Sequence, residues 1–420
     1  MDNPFDRRAF LKTAAGTLAL LVSRQGLTAA QTPTPAAASI AGPPVRFAVV
    51  GLGAWGRDIL EALGRIDTAR VTGICDSYEP FLKRAAASAP KAEGTLDWRR
   101  LVESASVDAI VIATPTPFHR DIALAALQAG KHVYCEAPIA ASIEDARAMA
   151  AAAAGTRGVI FQGGLQGRSN ALYRHVLQFV KSGVLGDIAL VDTQWSRKDS
   201  WRRAAPTPER ERAMNWRLDK GSPGLMGEVG IHQLDLVSQY LGARPSAIVG
   251  SGGITTWRDG RDTPDTVSCL VDFGKTRASV RTTLASSFGG ACTIFQGSNS
   301  SLLLKENRGW LIKEADSPLL GWEVYARKES VHDETGIAMV ADATKLLQAG
   351  KEPGKDGPLE PEKPALVMAF ESFVNSIHTG APSACGPSDA CQATVAALTA
   401  NRAVVTNARL EMTPEDYAGN

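Results

Sequence analysis

The chain has 420 residues, with 45 lysines and arginines against 44 aspartates and glutamates, and therefore a formal net charge of +1 at pH 7. This length allows two or three domains, and a hydrophobic content of 44% provides for sizeable cores, which excludes an intrinsically disordered chain. The balanced charge argues against a nucleic-acid-binding protein, because such proteins normally carry a basic excess.

Residues 1–30 have the pattern of an export signal. Arg7 and Arg8 stand in a charged leader, an apolar stretch runs from Thr13 to Ser23, and small residues end the segment. The paired arginines resemble a twin-arginine signal, which exports folded proteins, so we expect a periplasmic protein. A buried amphipathic helix is the alternative. Residues 31–44 have linker composition, and no apolar run reaches the roughly 18 residues of a membrane span.

A dinucleotide-binding motif follows the linker. The β-rich run 45–50 leads into GLGAWG, which places Gly51, Gly53 and Gly56 at a strand-to-helix junction. The first glycine allows a tight turn, the second lets a pyrophosphate approach the backbone, and the third allows close helix–strand packing. Asp76 ends the next strand, where a carboxylate binds the adenosine ribose hydroxyls and repels a 2′-phosphate. We therefore predict NAD in preference to NADP; a glycine turn in an unrelated α/β protein is the alternative.

Strands and helices continue to alternate up to residue 163. Strands are predicted at 70–75, 108–113, 132–135 and 159–161, with helices at 118–129 and 143–154. Apolar strands separated by helices are typical of a parallel sheet covered on both faces. Residues 45–163 are therefore predicted to form a doubly wound, NAD-binding Rossmann domain.

Residues 164–420 are predicted to form a C-terminal substrate and oligomerisation domain. A helix is predicted to end near Leu241, strands are predicted at 247–257, 266–273, 276–284, 291–296 and 301–305, and helices at 365–378 and 390–404 close the domain. The alternating run 266–273 favours a sheet with one face on helices and the other free, so a homo-oligomer through that face is expected. Six cysteines are too few for a disulfide scaffold, although Cys385 and Cys391 could pair.

Several spaced motifs together resemble the Gfo/Idh/MocA oxidoreductases over most of residues 45–410. They are GLGAWG, Asp76, the segments 113–119, 130–138 (GKHVYCEAP) and 180–188, Asn215-Trp216-Arg217, and the segment 227–235 (GEVGIHQLD). The resemblance implies an α/β fold with an N-terminal Rossmann domain and a C-terminal domain built on a large open, mainly antiparallel sheet. It also implies hydride chemistry on a sugar or polyol.

The resemblance further suggests which residues form the site. Cofactor-binding positions would be the three glycines with Asp76, Thr114, Pro115, His119 and Glu136, and substrate-binding positions would be Arg168, Trp216, Arg217 and Asp235. Some of them have a structural alternative. The His119 side chain could form hydrogen bonds with backbone groups at the start of a helix, and Arg168 could cap a surface helix. The loop 195–203 (WSRKDSWRR) mixes aromatic and cationic residues that could hold a sugar or line a subunit contact.

The chain departs from the family at the predicted catalytic centre. Glu136-Ala137-Pro138 stands where the family usually has Glu-Lys-Pro, so the lysine that helps to polarise the reacting hydroxyl is missing, and Glu228 replaces the usual aspartate. His232 is the predicted base, since imidazole suits proton removal near neutral pH. Glu228, four residues earlier, could orient the ring on a shared helix face, as could Asp235.

Other interpretations of this centre stay open. Lys220 is a possible substitute cation, and an ion pair without catalytic function is another possibility. A metal site on Glu228, His232 and Asp235 is less favoured, because the pattern supplies no second histidine, so no metal is predicted.

These observations predict an exported enzyme that moves hydride between a tightly bound nicotinamide cofactor and a sugar or polyol hydroxyl. Because no free NAD pool exists outside the cytoplasm, the cofactor would have to be regenerated within each cycle. A first alternative is an NAD-dependent glycosidase or lyase that oxidises its substrate transiently, without net redox change; Ala137 favours it, since some related glycosidases also lack the lysine. A second alternative is a non-catalytic sugar or nucleotide sensor.

Overall fold

A parallel sheet of six strands forms the first part of the fold. The computed structural model describes residues 42–341, 346, 350–351 and 360–418, so the export signal predicted at 1–30 and most of the linker at 31–44 lie outside the described residues. The strands are β1 (Val45–Val50), β2 (Ala69–Cys75), β3 (Glu93–Thr95), β4 (Ala109–Ile112), β5 (His132–Cys135) and β6 (Phe161–Gly163). Their order is β3-β2-β1-β4-β5-β6, and every neighbouring pair is parallel.

Five helices connect these strands and cover both faces of the sheet. They are α1 (Ala54–Leu63), α2 (Glu79–Ala86), α3 (Arg99–Glu103), α4 (His119–Gln128) and α5 (Ile143–Gly155). Successive side chains of β1 enter different cores, since Phe47 and Val49 belong to one hydrophobic cluster and Ala48 and Val50 to another. The predicted doubly wound parallel sheet is thereby confirmed.

A second sheet of ten strands follows. Its strands are β7 (Ile188–Ser196), β8 (Ala247–Gly253), β9 (Thr266–Phe273), β10 (Thr276–Thr283), β11 (Ala291–Gly297), β12 (Ser300–Lys305), β13 (Arg308–Lys313), β14 (Lys328–Val331), β15 (Glu334–Met339) and β16 (Arg409–Glu411). The order is β14-β15-β13-β12-β11-β7-β10-β9-β8-β16. Only the β7–β10 pair among these described strands is parallel, which confirms the predicted large, mainly antiparallel sheet.

The helices of the second part are α6 (Ala171–Lys181), α7 (Pro208–Met214), α8 (Ile231–Leu241), α9 (Ala365–Thr379), α10 (Pro387–Thr406) and α11 (Pro414–Tyr417). A π-helical turn, Met226–Gly230, precedes α8 directly. Helix α8 ends where predicted, because Gly242 follows it in the left-handed conformation with φ of 61°.

Helix α9 returns to the first sheet, although the sequence places it among the C-terminal residues. Phe370 lies 4.5 Å from Tyr134 of β5 between ring centroids, and Phe373 lies 6.2 Å from Phe47 of β1. Another hydrophobic cluster contains side chains of both sheets, among them Val50 of β1 and Val191 of β7, so the two sheets share a core.

All six cysteines are free thiols, and five of them are buried, so Cys385 and Cys391 form no disulfide in this structure. Within the described ranges, no helix combines the length and apolarity needed to cross a membrane.

Candidate functional site

The glycine-rich turn after β1 has the geometry that a dinucleotide requires. Gly51 has a φ of +97°, and a Cβ there would lie 2.5 Å from the Ala113 carbonyl. A Cβ at Gly56 would lie 1.9 Å from the Gly51 oxygen, whereas a Cβ at Gly53 would have no neighbour within 4 Å. Two glycines thus permit close backbone packing, and the third leaves open space at the start of α1, where unpaired N–H groups bind phosphate.

Asp76 lies beside this turn, directly after β2. Its carboxylate accepts one hydrogen bond from the Leu52 amide and one from the Tyr78 amide, each at 2.8 Å. A carboxylate has about four acceptor positions, so two remain for hydroxyl groups. The turn that would hold a pyrophosphate and the carboxylate predicted to bind the ribose are therefore fixed to each other.

The segment after β4 forms the opposite side of the turn. The hydroxyl oxygen of Thr114 is buried and has no hydrogen-bond partner among the described residues, although buried polar atoms are usually paired. Pro115 and Thr116 follow, and Thr116 begins a short 3₁₀ helix. An unpaired hydroxyl at the carboxyl edge of this sheet fits a site whose ligand supplies the partner.

His119 lies behind this segment instead of at its surface. Its ring nitrogens lie 2.9 Å from the Thr114 carbonyl oxygen and 3.1 Å from the Pro138 carbonyl oxygen. Burial lowers the pKa of His119 to about 4, so the neutral ring has one N–H and donates to one of these carbonyls. The structure places this predicted cofactor-binding residue as a link between the segments after β4 and β5.

Glu136 follows β5 and has an unusual electrostatic environment. Burial raises the pKa of this carboxyl to about 7. One carboxylate oxygen lies 3.5 Å from the Gln166 amide nitrogen, and the other is buried without a hydrogen-bond partner among the described residues. Ala137, joined to Pro138 by a cis peptide bond, adds only a methyl group. A proton-holding carboxyl therefore stands next to the position where a lysine is missing.

Glu228 connects the two parts of the fold. Its carboxylate accepts a hydrogen bond of 2.9 Å from the Thr116 hydroxyl and an ion-paired hydrogen bond of 2.8 Å from the Arg217 guanidinium. The side chain is only 5% exposed. The π-helical turn that carries Glu228 thus abuts the carboxyl edge of the first sheet, on the same side as the glycine-rich turn.

His232 lies at the start of α8, directly after the π-helical turn that carries Glu228. The residue is exposed to solvent, and desolvation by the surrounding protein lowers the pKa of the ring to about 4. No hydrogen bond joins His232 to Glu228 or Asp235, all three of which are described residues. The ring is therefore neutral at pH 7 and accessible to a ligand, and the two carboxylates predicted to orient it, Glu228 and Asp235, are bound to other residues.

Asp235 and Arg168 form a buried ion pair. The guanidinium donates to both carboxylate oxygens, with distances of 2.7 to 3.1 Å, and the side chains are 13% and 6% exposed. Arg168 also pairs with Asp389 of α10 at 3.1 Å. Burial raises the pKa of Asp235, and the guanidinium partly offsets that rise. Arg168 and Asp235 are thus brought together, with their charges directed at each other.

Trp216 and Arg217 form an aromatic and cationic wall next to Glu228. The Arg217 guanidinium carbon lies 4.4 Å from the centre of the Trp216 ring and 6.0 Å from that of Trp201. Trp201 has a φ of 63°, which is uncommon for a bulky residue. Lys220, the other cation considered, is exposed in the following loop.

Some participants could not be identified from the sequence. Thr116 and Glu228 are 112 positions apart in the sequence, and no local sequence pattern predicts the hydrogen bond between them. The same holds for Tyr78 and Arg210, whose ring and guanidinium stack at 4.4 Å. Within the described residues, no three histidine, cysteine, aspartate or glutamate side chains are placed to hold a metal ion.

Two family models match the chain. Residues 45–164 match the Gfo/Idh/MocA oxidoreductase family with an NAD-binding Rossmann fold, and residues 173–303 match the Gfo/Idh/MocA C-terminal domain. Together they span more than half of the chain. The predicted cofactor, NAD, is confirmed by the first of these models.

Two relatives illustrate the range of similar proteins. An uncharacterized oxidoreductase of Streptococcus pneumoniae serotype 4 is 26% identical over 343 residues, which are 80% of this chain and 89% of the relative. A glycosyl hydrolase family 109 protein of Shewanella sp. (strain ANA-3) is 30% identical over 233 residues, which are 48% of this chain. This chain spans 50% of the length of that glycosyl hydrolase.

The fold also matches solved structures. A levoglucosan dehydrogenase in complex with NADH and levoglucosan superposes with a TM-score of 0.70 at 18% sequence identity, covering 88% of this chain and 99% of the dehydrogenase. At that identity the likeness concerns the fold, and it agrees with both family models. The chain therefore belongs to the Gfo/Idh/MocA family of NAD-binding oxidoreductases.

Proposed function

We propose that this protein transfers hydride between a tightly bound NAD and a hydroxyl group of a sugar or polyol. The observation that carries the proposal is the hydrogen bond between Thr116 and Glu228. This bond attaches the π-helical turn to the edge of the sheet where an NAD-binding fold presents its cofactor, and His232 follows that turn at the start of α8, which supports a role for His232 beside the cofactor.

In this proposal His232 is the general base. Bound NAD supplies the acceptor and donor of hydride at the carbinol carbon. His232 accepts the hydroxyl proton on a ring nitrogen, because desolvation lowers its pKa and keeps the ring neutral at pH 7. Arg217 supplies positive charge beside Glu228, and the rings of Trp216 and Trp201 offer apolar faces that suit a sugar.

We further propose that the protein works after export, which rests on Arg7 and Arg8 in the leader. Outside the cytoplasm the cofactor must be oxidised and reduced within one catalytic cycle. The protein would either oxidise one sugar and reduce a second, or return hydride to its own substrate.

The second of these routes is a redox-neutral glycosidase or lyase, and Ala137 favours it. In this route, oxidation of a ring hydroxyl acidifies the neighbouring C–H; loss of that proton expels the leaving group, water adds, and the returned hydride reduces the carbonyl. Glu136 supports the route because a carboxyl with a pKa of about 7 can both give and take a proton near neutral pH. The similarity to a glycosyl hydrolase family 109 protein is consistent with it.

Two exposed leucines on the free face of the second sheet suggest self-association. Leu270 of β9 and Leu190 of β7 are 60% and 48% exposed on the sheet face opposite to the buried residues of these strands. We propose a homo-oligomer through this face. Sedimentation should show a multimer for the wild type, and Leu270→Lys with Leu190→Lys should shift it toward the monomer; a wild-type monomer would contradict the proposal.

The activity is tested by analysing the purified protein and its histidine variants. Denaturation should release NAD, and absorbance at the nicotinamide band should change when sugars are added. His232→Asn should lower turnover by about 10²- to 10⁴-fold while NAD stays bound, because a general base is lost. His332→Asn, at an exposed hairpin position, is the matched control. Full activity in His232→Asn would remove His232 as the base.

The two routes give different products. Release of the aryl group from aryl glycosides, without net change of nicotinamide absorbance, would support the redox-neutral route. Ala137→Lys should increase net sugar oxidation if the missing lysine limits that reaction, and should not increase glycoside cleavage. A protein that binds NAD but transforms neither sugars nor glycosides would instead be a sensor.

A further inference from the structure

One short segment of the second domain packs against the residues that follow β2, at the NAD-binding edge of the first sheet. We name residues 208–218, which comprise α7 and the 3₁₀ helix Trp216–Leu218, the strap. The strap contacts the first domain at two places, directly through Arg210 and indirectly through Arg217, whose partner Glu228 bonds to Thr116. The Arg210 contact takes no part in the proton transfer proposed above.

The first contact lies after β2. The guanidinium carbon of Arg210 stacks 4.4 Å from the centre of the Tyr78 ring, and Tyr78 donates its amide to Asp76 at 2.8 Å. The Nε of Arg210 is buried and has no hydrogen-bond partner among the described residues. The contact therefore stands beside the carboxylate predicted to bind the adenosine ribose, with one N–H available to a ligand oxygen.

The second contact lies after β4. Arg217 pairs with Glu228 at 2.8 Å, and Glu228 accepts the Thr116 hydroxyl at 2.9 Å. The charge of Arg217 also contributes to lowering the pKa of His119 in the same segment, which shows that the guanidinium lies close to it.

The strands β2 and β4 are the two neighbours of β1 in the sheet. Two strand spacings amount to about 9.6 Å. The seven residue steps from Arg210 to Arg217, mostly in helical conformation, advance about 10 Å. The strap therefore has the length needed to pass across the end of β1, where Gly51 and Gly53 form the predicted pyrophosphate site.

The strap is also firmly attached to its own domain. The buried Asn215 donates to the Arg203 carbonyl at 3.0 Å and accepts the Arg203 amide at 2.8 Å. Arg202 pairs with Glu211 as well. Movement of the strap away from the first domain would thus require either breaking this attachment or separating the domains.

We propose that the strap closes over bound NAD and retains it, with the Arg210–Tyr78 stack as the fastening on the adenosine side. This inference deepens the proposed function, because it rests on a cofactor that stays bound through repeated cycles. A cofactor lying from Asp76 across the glycine turn toward Thr114 would run beneath the strap between its two contacts.

The test measures how fast the holoprotein loses NAD labelled in its adenine, in an excess of unlabelled NAD and without any sugar. Arg210→Ala and Tyr78→Ala should each release the label about 10-fold faster, the factor expected from loss of one cation–π contact. Arg212→Ala, on the same helix with a guanidinium that is 87% exposed, and Tyr78→Phe, which keeps the ring, should release it at the wild-type rate.

Equal release rates in all variants would overturn the proposal, as would a wild-type protein that exchanges its NAD within seconds. Thermal unfolding of the NAD-free variants checks that each is folded, and Tyr78→Ala carries the test if Arg210→Ala is not. Because no sugar is present, the result is independent of the reaction. Retained NAD without any sugar or glycoside turnover would contradict only the proposed function, and rapid release with turnover supported by added NAD would contradict only the strap.

Discussion

Ala137 stands where the family usually has a lysine, and a titratable carboxyl and a guanidinium lie at the same edge of the sheet. Ala137 cannot hold a proton, but the adjacent Glu136 has a pKa raised to about 7, and Arg217 brings a fixed positive charge to the same edge of the sheet through Glu228. Proton transfer and positive charge, which one lysine could provide together, are thus divided between two residues. The titration of Glu136 can be measured directly.

We expect Glu136→Gln to change how stability depends on pH. Because the folded-state pKa of Glu136 is raised above its unfolded value of about 4.5, its contribution is fully present below pH 4.5 and is lost as the pH rises to about 7. Because Gln does not titrate, the unfolding free energy of the variant should rise by about 1–3 kcal/mol relative to that of the wild type between pH 4.5 and 8. Urea unfolding of the NAD-free proteins at several pH values measures this difference.

The exposed Glu103→Gln is the matched control, and its unfolding free energy should follow the wild-type pH dependence. A parallel pH dependence of Glu136→Gln and wild type would show that Glu136 titrates normally.

At the scale of single elements, the glycines of the glycine-rich turn have different structural roles. Gly53→Ala adds a methyl group where no atom lies within 4 Å, so the NAD-free fold should change in stability by less than about 1 kcal/mol. The same methyl would occupy the approach of a pyrophosphate, so NAD affinity should fall by about 10-fold or more, equivalent to at least 1.4 kcal/mol. Titration of tryptophan fluorescence with NAD measures the affinity.

Gly56→Ala is the comparison variant for this turn. Its methyl would lie 1.9 Å from the Gly51 oxygen, so helix α1 would have to move and the NAD-free protein should lose about 1–3 kcal/mol of unfolding free energy. If Gly53→Ala destabilised the NAD-free fold as strongly as Gly56→Ala, the open space at Gly53 would not be a ligand site.

Periodicity was sufficient to predict elements whose pattern is local. Strand β9 spans Thr266–Phe273 as predicted, because its alternate residues Val267, Cys269 and Val271 point into the core. Strand β6, by contrast, lies at Phe161–Gly163 instead of 159–161, since Gly163 continues the strand by pairing with Cys135 of β5. The long strand β7 was not predicted at all, because its parallel partner β10 is distant in sequence.

The site was less predictable than the fold, since its contacts are long-range. The four-residue spacing of Glu228 and His232 led to the expectation that the carboxylate orients the ring. In the structure Glu228 contacts Thr116 and Arg217, which lie in other segments. The neighbouring Gln233 is buried and bonds to Thr193 and Thr282 of the second sheet, which fixes the rotation of α8. Such contacts depend on how the domains pack, so they cannot be predicted from local sequence patterns.

For the molecule as a whole, the junction between the domains combines apolar packing with a buried charge pair. Helix α9 packs its aromatic residues on the first sheet, and Arg168, just after β6, joins Asp235 of α8 and Asp389 of α10. Since the net charge of the chain is only +1, no overall field dominates. Local pairs such as this one therefore determine both the attachment of the domains and the charge near the cleft.

We expect the unfolding free energy to fall strongly when one partner of the Arg168–Asp235 pair is removed, and to fall little when both partners are replaced by apolar residues. Arg168→Met leaves Asp235 buried without its cation, which should lower the unfolding free energy by about 3–5 kcal/mol at pH 8. Burial already raises the pKa of Asp235, and removal of the guanidinium raises it further, so the carboxyl becomes protonated as the pH falls and the loss should be smaller at pH 5. Asp389→Asn, which removes a 46% exposed partner, should cost less than about 1 kcal/mol.

The double variant Arg168→Met with Asp235→Leu decides the interpretation. Two apolar side chains in place of a buried ion pair should restore most of the stability lost in the single variant, because no uncompensated charge is left in the interior. Urea unfolding of the NAD-free proteins at pH 5 and pH 8 measures all four chains. A double variant as unstable as Arg168→Met would mean that the guanidinium acts by filling space between α8 and α10, and the pH dependence of the single variant would then disappear as well.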